Sequence, residues 1–395
     1  MEVKSQIEKA RALANGPFFL YDLDALAAHL RGISAEGVRL WYACKANPLG
    51  AILDVCHDAG LSFDVASKGE LAQVKSRGVV GKQILMTGPS RPANLLSQAL
   101  DAGLETFVIE SPNQFSELVQ EAARRKIKVR ALLRLQLDWE GEGSSVLGGT
   151  KVTPFGIDSS EWRRFGPASS EFVEVIGFHA FQWGNILSAA RLEEIWQRVA
   201  REASLLAKDL GIELKVLDLG GGIGIPYDGK SAPLAWQEVR AALLRVRAEF
   251  SLPEVWLELG RYAVGDFGSY TASVVDRKTV RGKEVLVLDG GINHLARPAL
   301  VQESFPATLL RGSRAEAMAF GVHGPLCTSL DHFGDYLLPN DIARGDQIIF
   351  SKCGAYGFTE SMPYFLGHDL PAEIILQKGE LSLARKAESP ATWMK

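Results

Sequence analysis

Several short clusters in this chain combine residue types that can do chemistry with positions that could use them. Tyr42-Ala43-Cys44-Lys45-Ala46-Asn47-Pro48 closes an apolar run on a lysine. A charged lysine is costly to bury, and at the inner end of a strand its amine could form a Schiff base. Read alone, Lys45 fits a surface lysine better. Asp64 lies in Phe63-Asp64-Val65-Ala66-Ser67, Arg134 in a run of apolar residues, and His179 in Gly177-Phe178-His179-Ala180-Phe181. A lone histidine is more often a core residue satisfied by hydrogen bonds, but an inward-facing one could stack on a flat ring. Asp218-Leu219-Gly220-Gly221-Gly222-Ile223-Gly224 would let backbone N–H groups approach an anion, although glycines also simply make turns. In Glu258-Leu259-Gly260-Arg261 a buried acid could keep a heterocyclic nitrogen protonated, and the arginine could meet a phosphate. A structural Glu–Arg pair fits that segment equally well. Lysine, glycine cup, acid and ring-stacking histidine together fit one cofactor, pyridoxal phosphate.

These groups need a scaffold that gathers strand ends. Short apolar or β-branched runs predict eight strands, at Val38–Cys44, Ser62–Ala66, Gln83–Thr87, Glu105–Glu110, Lys128–Leu137, Glu174–Gln182, Leu214–Leu219 and Glu254–Leu259. Helical patterns at Ala51–Ala59, Glu70–Arg77, Pro112–Arg125, Ala190–Leu210 and Ala235–Phe250 fill most gaps. Eight alternations predict a (β/α)8 TIM barrel, whose sites are built at the C-terminal strand ends. Every cluster above sits at such an end.

After about Ala263 the texture changes. Tyr270–Thr279 and Glu284–Asp289 flank an Arg-Gly turn and predict a hairpin. Further β-like runs follow at Ala315–Val322, Asp346–Ser351, Glu373–Gln377 and Leu381–Ala384. The expected organisation is an N-terminal segment, 1–24, pairing with a C-terminal mainly-β domain, 263–395, around a barrel spanning 25–262. Glu140–Thr150, rich in Gly and Ser, predicts a mobile loop.

Composition narrows the function classes. The 395 residues are 47% hydrophobic and 23% charged, as in a soluble globular protein, and the net charge of −4 comes without a basic block, against a nucleic-acid partner. No apolar run approaches the ~20 residues of a membrane span, and the polar start does not resemble a secretory signal. Four cysteines without a CxxC pair fit a cytoplasmic protein with reduced thiols, and no metal site is expected.

The chain resembles the alanine-racemase-fold (fold type III) pyridoxal-phosphate decarboxylases, among them diaminopimelate, ornithine and arginine decarboxylases. The resemblance covers nearly the whole chain, with the motifs in the family's order. YACKANP, FDVAS, GFHAF, LDLGGGIG and LELGR carry it through the barrel, and GPLCTSLD and GAYG through the second domain. It implies that Lys45 binds the cofactor, with Asp64 close by, and that His179 stacks on the pyridine ring. It implies further that Gly220, Gly221 and Gly222 hold the phosphate, with Arg134, Gly260 and Arg261 also lining the cofactor. Glu258 would pair with the ring nitrogen. Cys327, from the partner subunit of a homodimer with shared active sites, would reprotonate the carbanion, and Tyr356 would meet the phosphate. Without the resemblance, Cys327 reads as a buried apolar cysteine and Tyr356 as a loop aromatic. One departure is Gln182, where the family usually has a serine that helps hold the phosphate.

Substrate choice should lie in the second domain. Arg297-Pro298-Ala299-Leu300 resembles the stretch with which diaminopimelate decarboxylases grip a distal carboxylate, but their tyrosine is Val301 here. Thr328 stands where diaminopimelate and ornithine enzymes carry an acid for a distal ammonium. A hydroxyl cannot replace an acid that pairs with a cation without a large loss of affinity. Cys327-Thr328 followed by Asp331 resembles a subset acting on conjugated amino acids, either citrate-linked diaminopropionate on the way to siderophores or glutamate on a carrier protein. The expected substrate is therefore a conjugate with a distal carboxylate, bound by Arg297, Thr328 and Asp331. A carrier protein is a further candidate partner. The alternatives are a free diamino acid decarboxylase, a racemase, or a non-catalytic pyridoxal-phosphate-binding homologue.

Overall fold

The computed structural model describes residues 2–137, 152–167, 170–392 and 394. The glycine- and serine-rich stretch Glu140–Thr150 lies outside them. The chain forms two compact units. One comprises residues 29–225 and 232–263, the other residues 1–28, 226–231 and 264–395.

After β1 (Phe18–Asp22), eight strands close a barrel: β2 (Val38–Ala43), β3 (Ser62–Val65), β4 (Ile84–Met86), β5 (Thr106–Ile109), β6 (Val129–Leu135), β7 (Val173–Ala180), β8 (Val216–Asp218) and β9 (Glu254–Leu259). Every neighbour pair is parallel, and β9 returns to β2 with Trp41 opposite Glu258. Strands such as Ile84-Leu85-Met86 and Thr106-Phe107-Val108-Ile109 are buried along their whole length, as strands flanked on both faces must be. The intervening helices carry local stop and start signals. Pro112–Arg125 begins behind Ser111, whose hydroxyl accepts the Gln114 N–H, and Ala189–Leu210 runs from a Ser188 cap to a left-handed Gly211. Helices at Ala93–Asp101 and Ser159–Phe165 go beyond those read from the sequence.

A plug fills the barrel interior. Trp41, Leu85, Val108, Leu132, Ile176, Val216 and Trp256 pack together, each from a different strand. The Trp41 and Trp256 rings lie 4.7 Å apart, and the Arg39 guanidinium stacks 4.3 Å over Trp41. This packed layer gives the titratable side chains at the C-terminal strand ends an apolar floor.

The second unit is mainly β. Its strands are β1 with β10 (Gly268–Val280), β11 (Lys283–Leu288), β12 (Ala307–Leu309), β13 (Ala317–His323), β14 (His332–Pro339), β15 (Gln347–Ser351), β16 (Ala372–Gln377) and β17 (Glu380–Arg385). The sheet runs β14-β13-β11-β10-β1-β16-β17, with β15 pairing β10 and β12. β1 lies antiparallel to β10 and parallel to β16, with Phe18 opposite Thr271 and Ala372. The expected hairpin forms: Val280 pairs with Lys283 across Arg281 and Gly282, both at positive φ (50° and 77°), the conformation of a type I′ turn. Strands β12 and β14 are additions to the sequence reading.

Candidate active site

Each barrel residue singled out from the sequence stands at or just beyond a C-terminal strand end. Asp64 is the penultimate residue of β3, Arg134 of β6, His179 of β7 and Glu258 of β9, while Lys45 follows β2 in a short 3-10 turn. The register aligns Arg134, His179 and Asp218 in one row across β6, β7 and β8, so the three share a face.

Lys45 is half-exposed, at 49%, between buried neighbours, and its Nζ lies 3.8 Å from Asp64 Oδ2. The Thr87 hydroxyl donates to Asp64 Oδ1 at 2.7 Å. Burial, with the Glu258 charge adding to it, raises the Asp64 carboxyl to about 7, although Lys45 pulls the other way. Asp218 is pushed well above the ordinary carboxylate range by burial and then by Glu258. Burial also pushes Glu258 up, but attraction to His179, and then to Lys45 and Arg134, outweighs it and holds this carboxyl low. Three buried acids thus divide one site, with the negative charge concentrated on Glu258.

His179 Nε2 approaches Glu258 Oε1 to 3.1 Å, yet outside hydrogen-bond angles: both imidazole nitrogens, that Glu258 oxygen and Asp218 Oδ2 are buried without a hydrogen-bond partner. Unsatisfied buried polar atoms are costly, and their clustering here marks a place built for a further group. The glycine loop is equally constrained. Gly220 and Gly222 have φ of 62° and 92°, and a Cβ on Gly220, Gly221 or Gly222 would fall 2.7, 2.3 or 2.5 Å from the backbone oxygens of Ala180, Glu258 and Trp183. Gly220 N–H donates to Asp218 Oδ1 at 2.9 Å, which ties the loop to the buried acids.

Arg134, an expected cofactor residue, and Gln182, the departure from the family's serine, are already engaged within the protein. Arg134 Nη1 donates to Glu110 Oε1 at 2.7 Å, with the Phe155 ring 4.6 Å from its guanidinium, so its contribution to the pocket is charge more than an open donor. Gln182, at the serine position, donates its side-chain N–H to the Leu137 carbonyl at 2.9 Å. Gly260 accepts the Ala263 N–H, and Arg261 opens the four-residue helix Arg261–Val264.

The sequence reading missed Glu110, the buried acid that also accepts the Gly88 and Gly156 N–H groups and so braces three strand ends. Its signal was an acid closing the buried run Thr106–Ile109. It also passed over Asp218, quoted beside the glycines and left without a role. The ligand atoms of His179, Asp218 and Glu258 lie within 4.8 Å of one another, a spacing a metal ion could also use. That account leaves Lys45 and the glycine loop idle. Pyridoxal phosphate employs all of them, because it brings an aldehyde for an amine, a ring nitrogen for a carboxylate, a flat face for an imidazole and a phosphate for backbone N–H groups.

In the β unit the structure brings Arg297 and Tyr356 together, with the guanidinium 5.2 Å from the ring centroid and Tyr356 in the left-handed region (φ 54°). Cys327, read without the resemblance as buried, is exposed instead, because it lies on the loop between β13 and β14. Thr328 beside it is half-buried, and its hydroxyl accepts the Leu330 N–H at 3.3 Å. Asp331 is buried, and its two oxygens accept the Ile292 and Leu326 N–H groups at 2.8 Å each, so it clamps the loop from inside the fold. All four cysteines are free thiols, and no helix among the described residues is long and apolar enough to cross a membrane.

Known proteins agree with this geometry. Residues 26–265 match the family model described as pyridoxal-dependent decarboxylase, pyridoxal binding domain, and the chain belongs to that family. Among its relatives is the L-glutamyl-(BtrI acyl-carrier protein) decarboxylase of Niallia circulans, 26% identical over 388 residues that cover 94% of this chain and 91% of that protein. The diaminopimelate decarboxylase of Campylobacter jejuni is 26% identical over 382 residues, covering 95% and 94%. The crystal structure of diaminopimelate decarboxylase from Helicobacter pylori complexed with L-lysine superposes with a TM-score of 0.88 over 98% of both chains, at 25% identity.

Proposed function

We propose that this pyridoxal-dependent decarboxylase removes the α-carboxylate of a conjugated amino acid with a distal carboxylate, of the citryl-diaminopropionate type, in siderophore or related specialised-metabolite synthesis. The observation that carries the reading is the chemistry of the loop around Cys327. Thr328 replaces an acid, and the one carboxylate nearby, Asp331, is consumed by two backbone N–H groups. The one acid of that loop is thus turned onto the backbone, which disfavours its use for a distal ammonium. The carrier-protein decarboxylase among the relatives adds support for a conjugate.

Bound in the barrel, pyridoxal phosphate supplies the electron sink for the pair released when the Cα–carboxylate bond breaks. In this proposal Lys45 anchors it, Glu258 keeps its ring nitrogen charged, and the His179 imidazole lies on its face. Gly220–Gly222, with Arg261, hold the phosphate. Cys327, from the second subunit of a homodimer, returns a proton to Cα. Four free thiols suit a reducing, cytoplasmic setting.

A second reading, decarboxylation of diaminopimelate, has an observation of its own: Glu303 and Glu360 flank Arg297 and could meet a distal ammonium. Incubating the holoenzyme with diaminopimelate, ornithine, lysine, diaminopropionate, citryl-diaminopropionate and carrier-linked glutamate, with CO2 and product mass as readouts, separates the two. Turnover confined to conjugates is expected. Efficient turnover of a free diamino acid would sink the conjugate reading and leave the cofactor chemistry standing.

A further inference from the structure

Arg297 is not an open anion site. Its side chain is 12% exposed, Nη1 donates to Glu360 Oε2 at 2.8 Å, and Nη2 lies 3.6 Å from Glu303 Oε2. One face of the guanidinium lies toward the Tyr356 ring, and Nε is buried without a hydrogen-bond partner. The cluster carries one positive and two negative charges. An arriving carboxylate meets a paired arginine and net repulsion.

We propose that Glu360 is a specificity-determining residue: an internal carboxylate that occupies Arg297 and must be displaced before a substrate's distal carboxylate can bind. This rests on the reading that Arg297 faces the substrate's distal end. A lone distal carboxylate exchanges one charge-assisted hydrogen bond for another and gains little. A group with several carboxylates gains more, because one can replace Glu360 while another takes the unused Nε. Glu360 is suited to leave, since its side chain is 37% exposed and it ends the short 3-10 turn Phe358–Glu360. The device therefore favours a polycarboxylate conjugate over a monocarboxylate tail.

Calorimetric titration of citrate into the holoenzyme tests this without knowledge of the substrate. E360Q removes the competing charge and keeps the side-chain shape, so citrate should bind about tenfold more tightly, with an unchanged melting temperature. R297K/E360Q should lose that gain. If any free amino acid is turned over, E360Q should lower KM for diaminopimelate and leave that for lysine unchanged, with kcat little altered. Should E360Q fail to fold, E360D keeps the charge at shorter reach and should show a smaller gain in the same direction. Citrate binding that is unchanged or weaker in E360Q, or in E360D where E360Q does not fold, overturns the proposal. Diaminopimelate and lysine weakened together would make Glu360 an ammonium partner instead. Turnover of the citryl conjugate with no response to E360Q would defeat this proposal and leave the function reading intact.

Discussion

The two units solve the placement of polar side chains in opposite ways. In the barrel, strands adjacent in sequence are adjacent in space, and the register alone sets Arg134, His179 and Asp218 side by side. Their buried polar atoms are left partly unsatisfied, over an apolar floor that includes Trp41 and Trp256. In the β unit the polar groups nearest the Cys327 loop and Arg297 are largely engaged, Asp331 by two backbone amides, Arg297 Nη1 by Glu360, and His294 between Tyr270 and Asp369, although Arg297 Nε stays without a partner. A site that must receive a cofactor keeps its polar atoms in waiting. If the β unit selects the substrate, as proposed, its engaged groups would be released only by the right one.

The contrast can be broken most sharply at Lys45. Lys45→Ala should cut turnover by about a thousandfold or more and abolish the visible band of lysine-bound cofactor, while the melting temperature of the apo-protein stays near that of the wild type. A variant retaining both band and activity would remove Lys45 from the chemistry. Next comes the barrel floor, where Trp41→Ala should cost about 3–5 kcal/mol in denaturant unfolding. A loss under about 1 kcal/mol would mean that the plug is not what holds the strand ends. Asp331→Asn should lower kcat about tenfold through a loosened Cys327 loop and leave cofactor affinity unchanged. Equal loss in both would mean that Asp331 acts on more than the Cys327 loop.

The finest test is pH, because the two regions should respond with opposite sign. Burial raises Asp64 to about 7, so its contribution to apo-protein stability is present below its unfolded value near 4 and fades as pH rises through 7. Burial lowers His294 to about 4, so its contribution is present above its unfolded value near 6.5 and fades as pH falls through 4. Melting curves should therefore show Asp64→Asn gaining on the wild type from pH 5 to 8, and His294→Gln gaining on it from pH 7 to 4. Parallel pH profiles for the two variants would erase the distinction drawn above.

The barrel was the more legible half. Strands such as Glu254–Leu259 and the helix Pro112–Arg125 announce themselves through apolar runs and caps, and the glycines through their spacing. Strand β14 escaped because it lies at a sheet edge with Asp335 and Leu337 exposed, which blurs the alternation. The Arg297–Glu360 pair could not be read at all. The two residues stand 63 positions apart, and only the folded chain makes them neighbours. The anchoring of Asp331 was hidden for the same reason, because a motif shows an acid without showing which backbone amides it holds.

The strand Phe18–Asp22 lies beside Ala372–Gln377, near the other end of the chain, and the barrel is threaded between them in sequence. During synthesis on a ribosome, the barrel can therefore be complete while its sister unit still waits for a partner strand. The nascent chain carries Phe18-Phe19-Leu20-Tyr21 with both edges unpaired until β10 emerges, and with the edge meant for β16 unpaired until the last strands follow. A stalled or truncated product would then hold a finished barrel and a bare sticky edge, a natural recruiting signal for chaperones and proteases.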